Sequence, residues 1–202
     1  MGNIVFDKDE LVNLGYSLER EILKTSQTGA FASTSLCFCN TRKYHGLLVL
    51  PQPKIDNEYH VILSSLDETI IYHDAPFHLA IHRYPNEVYS PKGHKYLTLL
   101  EISKTSKHTY CLGDIRISKE LLFNHNQDRL IIKYKVEKCD TPFIIQFNPL
   151  LAFRQRHKLS KANNEVNRGF NKVKNGSSFQ LYNNYQPLFV QFSKDDVEYM
   201  HS

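Results

Sequence analysis

An arginine, a lysine, a tyrosine and a histidine stand in a row at Arg42, Lys43, Tyr44 and His45, and Gly46 follows directly. They offer a planar guanidinium, an ammonium, a phenolic hydroxyl and an imidazole, a donor set suited to a polyhydroxylated or anionic ligand. The apolar run behind them gives the group a platform. Leu47, Leu48, Val49 and Leu50 read as a short buried strand that ends at Pro51. The polar side chains then sit at a strand mouth, anchored by the core. The plainer alternative is that Arg42 pairs with a carboxylate, His45 caps a backbone group and Gly46 serves a bend.

Other constellations carry less. His73, Asp74 and His78 lack a metal-ligand spacing, and Pro76 lies between the two histidines. Cys37 and Cys39 would face the same side of a strand, but no second close pair completes a zinc site, so buried free thiols are expected for the four cysteines. Ser33, Thr34 and Ser35 lack the glycine frame of a nucleophile elbow. Gly2, Gly15, Gly29 and Gly46 are too far apart for a phosphate loop. No metal and no cofactor is expected.

The elements that must position these residues read as strands. Tyr59 to Ser64, Glu68 to Tyr72, Phe77 to Ile81, Tyr96 to Ser103, Thr109 to Leu112, Ile115 to Phe123, Leu130 to Val136, Phe143 to Phe147 and Leu188 to Phe192 are candidates. Tyr84 to His94, rich in Pro and Asn, reads as a long surface loop. Asn175-Gly176 is a hairpin signal before Phe179 to Tyr182. Short connections such as Asn124 to Asp128 favour antiparallel neighbours. Repeated short strands without long helical periodicity predict an all-β fold, a large antiparallel two-sheet β-sandwich with long loops. Leu47, Leu48, Val49, Ile131, Ile145 and Phe147 are expected to share its core.

Composition agrees with a single domain over residues 1–202. Hydrophobic residues make up 41%, enough for a core, and Tyr and Phe number 12 each, which favours strands. The net charge of +4 is spread along the chain, without the concentrated basic stripe of a nucleic-acid binder. No apolar run reaches the roughly 18 residues of a membrane span. The acidic N-terminus, with Asp7, Asp9 and Glu10, is unlike a signal peptide, so a cytoplasmic location is expected.

Asn40 to Val49 resembles the asparagine-threonine-arginine-arginine/lysine-tyrosine-histidine-glycine-leucine-leucine signature of bacterial and archaeal glycogen debranching enzymes. Thr28 to Ser33 is similar to the approach to that signature. Asn148 to His157 resembles a second block, in which an apolar run leads into an arginine and a histidine. Leu63 to Thr69 and His82 to Tyr96 fit intervening segments, so the resemblance covers roughly Gly15 to Phe192. It concerns the N-terminal domain of the amylo-α-1,6-glucosidase type. That implies a supersandwich-like fold preceding a catalytic helical (α/α) barrel, with that barrel and an α-glucan as partners. Arg42, Lys43, Tyr44, His45, Arg154 and His157 become candidate substrate- or interface-binding residues, with the two blocks expected to approach each other. Departures exist: Gly29 alone represents a glycine-rich approach, Cys37-Phe38-Cys39 is bulky, and Trp is absent. The chain stops at Ser202, which suggests a domain truncated before its end.

Glycoside hydrolysis needs two carboxylates flanking one bond. Asp67 and Glu68 are adjacent and would point to opposite faces of a strand. Asp114, Glu101 and Glu120 are not singled out by spacing, and solvated loop carboxylates are expected instead. The chain alone is therefore expected to be inactive, and the resemblance implies a non-catalytic domain that packs on the barrel and helps shape the glucan cleft. A stand-alone carbohydrate-binding module, with exposed Tyr residues stacking on sugars, and an interaction domain without ligand are the alternatives.

Overall fold

A computed structural model describes residues 3–161 and 163–193; the remainder of the expected 1–202 domain lies outside the described residues. The chain opens with strand β1 (Ile4–Asp7) and two short helices, α1 (Lys8–Val12) and α2 (Leu14–Glu19). Strands β2 (Glu21–Thr25), β3 (Phe31–Ser35), β4 (Gly46–Pro51), β5 (Tyr59–Tyr72) and β6 (Ala75–His78) follow. A small hairpin, β7 (His82–Tyr84) with β8 (Val88–Ser90), precedes β9 (Leu97–Ile102), β10 (Ser106–Leu112), β11 (Ile115–Phe123), β12 (Leu130–Lys138) and β13 (Ile144–Gln155). The last described strands are β14 (Phe170–Val173), β15 (Gly176–Phe179) and β16 (Leu188–Gln191).

Two antiparallel sheets form the sandwich. One runs β1-β9-β10-β11-β12; the other runs β13-β5-β4-β3-β2, with β6 also on β5. Alternation explains how they face each other: Ile115, Ile117 and Leu121 of β11 point inward at one phase and are at most 2% exposed. They belong with Ile70, Leu97, Leu100, Tyr110 and Leu112 to cores that span both sheets. The three-stranded sheet β14-β15-β16 and the connection between β15 and β16 pack on β4, β5 and β13, where Leu181 and Tyr185 of the connection and Leu188 of β16 meet Leu50, Ile62 and Phe153. The expected all-β sandwich is the observed architecture.

Several elements differ from the sequence reading for identifiable reasons. Asp7 and Glu10 form a reciprocal capping box at 3.0 and 3.1 Å, which starts α1 and lets Leu11 reach the core. Tyr59 to Ser64 and Glu68 to Tyr72 are one strand, because β13 pairs with β5 across the polar residues between them. β13 in turn runs past Phe147 through Pro149; it is an edge strand, so the missing N–H of Pro149 breaks no ladder on its open side. Phe77 to Ile81 pairs only as far as His78. The Cys37-Phe38-Cys39 segment is a turn rather than a strand, with Phe38 at φ 63°. Both of its thiols are free and buried, while Cys111 and Cys139 are free and half-buried. In the β14–β15 hairpin, Asn175 takes the positive φ of 54° while Gly176 already belongs to the strand. A Cβ on Gly176 would lie 2.0 Å from Val190 O, so close approach demands glycine there.

The core is also divided differently. Leu47 and Leu48 pack with Leu63 and Leu121, whereas Ile145 packs on the cluster around Ile70. Phe147 stacks near Tyr134 at 5.0 Å, and Ile131 is only half-buried on the edge strand β12. Glu68 lies on β5 as a buried carboxylate. It is 3% exposed between the sheets, 2.7 Å from the equally buried Lys119 Nζ, and it accepts the Tyr134 hydroxyl. Lys119 also lies 4.0 Å from the centre of the Phe38 ring.

Leu48→Ala should lower unfolding free energy by about 2–5 kcal/mol in a urea titration, the cost of a buried large-to-small change. Lys119→Met alone should cost about 3–5 kcal/mol by stranding a buried carboxylate, and adding Glu68→Gln should recover most of it. Single and double variants of equal stability would remove the ion pair from this account.

Candidate functional site

Glu21, at the start of β2, is the point on which the Arg42–His45 segment converges. Tyr44 Oη donates to its carboxylate at 3.0 and 3.1 Å, Arg42 Nε stands 3.5 Å from Oε1, and His45 Nε2 stands 3.2 Å from the same oxygen. The segment turns tightly, His45 N–H donating to Arg42 O at 3.1 Å. His45 is fully buried, and its Nδ1 accepts the Thr41 backbone N–H at 3.1 Å. The ring proton of the neutral imidazole therefore sits on Nε2, facing Glu21. That contact is poorly aligned, and the nitrogen has no other acceptor among the described residues.

The flanks are equally fixed. Asn40 donates through Nδ2 to Ser64 O at 2.9 Å and Ser64 Oγ at 3.2 Å, fastening the segment to β5. Behind it, a Cβ on Gly46 would lie 2.7 Å from Val61 Cγ1, so only glycine lets β4 start this close to β5. Burial pushes the His45 pKa down, against the pull of Glu21. Burial works to raise the Glu21 pKa, but the Tyr44 hydrogen bonds and the nearby His45 and Arg42 outweigh it and hold the carboxyl below its usual range.

The second block arrives on β13. Arg154 Nη2 donates to Lys43 O at 2.8 Å, so the two blocks meet at one hydrogen bond. Its Nη1 reaches Gln155 O, Arg156 O and Lys158 O at 3.2, 3.2 and 3.0 Å. Arg154 is thus a clamp on main chain. Arg42 is 58% exposed along its side chain, and Lys43 and His157 are also exposed. No hydrogen bond or ion pair among the described residues ties the His157 side chain to the others.

Glu21 was missed by the sequence reading, since nothing local distinguishes it; only the β2–β3–β4 pairing carries it to the segment. The carboxylates named from the sequence, Asp67, Glu101, Glu120 and Asp114, are engaged. Asp67 Oδ2 lies 2.7 Å from His82 Nε2, and that pairing raises the His82 pKa. Glu101 lies 3.8 Å from Lys107, Glu120 accepts Thr105 Oγ1 at 2.6 Å, and Asp114 accepts Tyr72 Oη at 2.9 Å. His73 leans on Tyr72 at 4.1 Å while His78 bonds Thr69 at 3.0 Å. Among the described residues no three His, Cys, Asp or Glu side chains group as metal ligands. No described helix is long and apolar enough to cross a membrane.

A family profile described as glycogen debranching enzyme N terminal matches residues 20–202. The chain belongs to that family. Neither a curated protein nor a solved structure gives a significant match. Within this debranching-enzyme N-terminal domain, the matched region holds both blocks and Glu21, and it leaves β1, α1 and α2 outside.

Replacing Glu21 by Gln should cost about 1–3 kcal/mol at neutral pH, because Tyr44 loses a charged acceptor and Arg42 and His45 lose the charge beside them. The folded carboxyl is the stronger acid, so its contribution is present above the ordinary value of 4.5 and lost as pH falls through the folded value. The gap between wild type and Glu21→Gln should therefore close below about pH 4.5 in denaturant titrations. A gap that widens there would reverse the sign of the coupling.

Proposed function

We propose that this domain serves a glycogen debranching enzyme without carrying out its chemistry: it packs on the catalytic helical barrel and lends a rigid polar rim to the α-glucan cleft. The supporting observation is the convergence of Arg42, Tyr44 and His45 on Glu21, clamped to the second block by Arg154. A rim held by both its side chains and its main chain presents donors without first having to order them. Arg42, Lys43 and His157 supply its accessible ends, whereas Tyr44, His45 and Arg154 hold it in shape. A catalytic role for the chain itself has little support. Hydrolysis requires one carboxyl free to protonate the leaving group and another free to attack or to activate water. Glu21, Asp67 and Glu68 are each committed to a basic or phenolic partner.

The test is Arg42→Ala in the enzyme that carries this domain. Glucose release from a branched dextrin should fall several-fold while the unfolding transition stays in place. An unchanged rate would reduce the segment to a folding element. The purified 202-residue chain should release no glucose from the same dextrin. Calorimetry with maltooligosaccharides separates the other reading, because a binding module would take them up unaided.

A further inference from the structure

A guanidinium drawn half out of water ordinarily meets a carboxylate, since an opposite charge offsets the solvation it loses. Arg154 does not. It is half-buried, burial works against its charge, and its hydrogen bonds go to the backbone carbonyls of Gln155, Arg156, Lys158 and Lys43. Carbonyl dipoles solvate the cation but leave its charge uncancelled. Two carboxylates that bond the sequence neighbours of Arg154 and Lys43 are engaged elsewhere: Glu21 by Arg42, Tyr44 and His45, and Asp56 by His60 and Gln155.

The same hydrogen bonds fix the surroundings of that charge. Arg154 holds Lys43 O at 2.8 Å and Lys158 O at 3.0 Å, so the backbones of these two lysines meet at one guanidinium. Arg42 and His157 adjoin them in sequence. Among the described residues, no ion pair joins Lys43, Lys158 or His157 to a carboxylate, and all three side chains are exposed. Beside Lys158, Leu159 is 69% exposed, the most exposed large apolar side chain described. Uncancelled charge and an uncovered leucine lie together.

We propose that this face docks a carboxylate-bearing protein segment, whose acidic side chains neutralise Arg154, Lys43 and Lys158 while an apolar neighbour covers Leu159. The inference rests on the rim reading above and names the chemistry of the rim's partner. A neutral glucan would leave the charge uncancelled, and a free phosphate would leave Leu159 in water. Charge complementarity of this kind sets orientation and encounter rate and weakens with salt.

The probe is a synthetic peptide of alternating glutamate and leucine, titrated into the 202-residue chain and followed by NMR, with inorganic phosphate and maltoheptaose as controls. The peptide should shift the resonances of Lys43, Lys158 and Leu159, and its affinity should fall between low and high salt. Lys43→Glu with Lys158→Glu should weaken it about tenfold, and Lys135→Glu on the exposed face of β12 should leave it unchanged. Leu159→Ser reads the apolar half without altering charge and should also weaken binding, which covers the case in which the double reversal fails to fold. The proposal is overturned by an absence of peptide shifts, by equal loss in Lys135→Glu, or by phosphate or maltoheptaose moving these resonances instead. The Arg42→Ala assay is independent of this titration, so activity lost there without peptide binding would reject the acidic partner and keep the rim.

Discussion

β5 is hydrogen-bonded to β13 on one side and to β4 on the other, and the polar rim follows from that arrangement. β4 is the exit from the Arg42–His45 segment, and β13 is the approach to Arg154. Two blocks separated by more than a hundred residues are thereby set on strands that flank a common neighbour. A single long side chain then closes the gap, as Arg154 does on Lys43 O at 2.8 Å. The close approach of β4 and β5 depends on Gly46, and the register of β13 past Leu150 depends on irregularities that bring Phe153 to a positive φ of 44°. The bulged strand bends there and re-aims Arg154 toward the segment.

The protein uses two carboxylates in contrasting ways. Glu68 lies between the sheets, matched by Lys119 and Tyr134, at a site where Coulomb attraction mainly offsets desolvation. Such a pair adds little net stability. Its effect is on facing: a slip of β11 by one residue would turn Lys119 outward and leave Glu68 unpaired. Glu21 lies at an edge, 31% exposed along its side chain, where three donors reach it and water still helps. One carboxylate specifies how the sheets meet; the other specifies how a loop is held.

The legible parts of this fold were those with a period. Ile115 to Phe123 reads as a strand with the bounds that β11 has, and Lys119 occupies its inward phase with Ile115, Ile117 and Leu121. A lysine in a buried phase signals a buried acid, and Glu68 stands two residues before Ile70 in the matching phase of β5. That pairing could have been read in advance. Other features could not. Pro149 conceals the length of β13, because only its edge position makes the proline harmless. The Asp7–Glu10 capping box was visible, but α1 has too few residues to display a helical period. Glu21 has no local mark, since its role comes from sheet order. The candidate site was legible as two blocks, whereas the carboxylate joining the first and the carbonyl joining them both required tertiary structure.

The rim's rigidity has a consequence for how it can recognise anything. Long cationic side chains lose rotamer freedom when they bind, and that cost offsets much of what a surface ion pair contributes. Here the backbones of Lys43 and Lys158 are already held by Arg154, and Tyr44 is already oriented by Glu21. Only the outer lengths of Arg42, Lys43, His157 and Lys158 remain to be ordered. A partner docked as proposed would therefore meet charges whose origins are fixed and whose ends can adjust. Specificity on such a surface comes from where its fixed points are, and those are set by β4 and β13 on either side of β5.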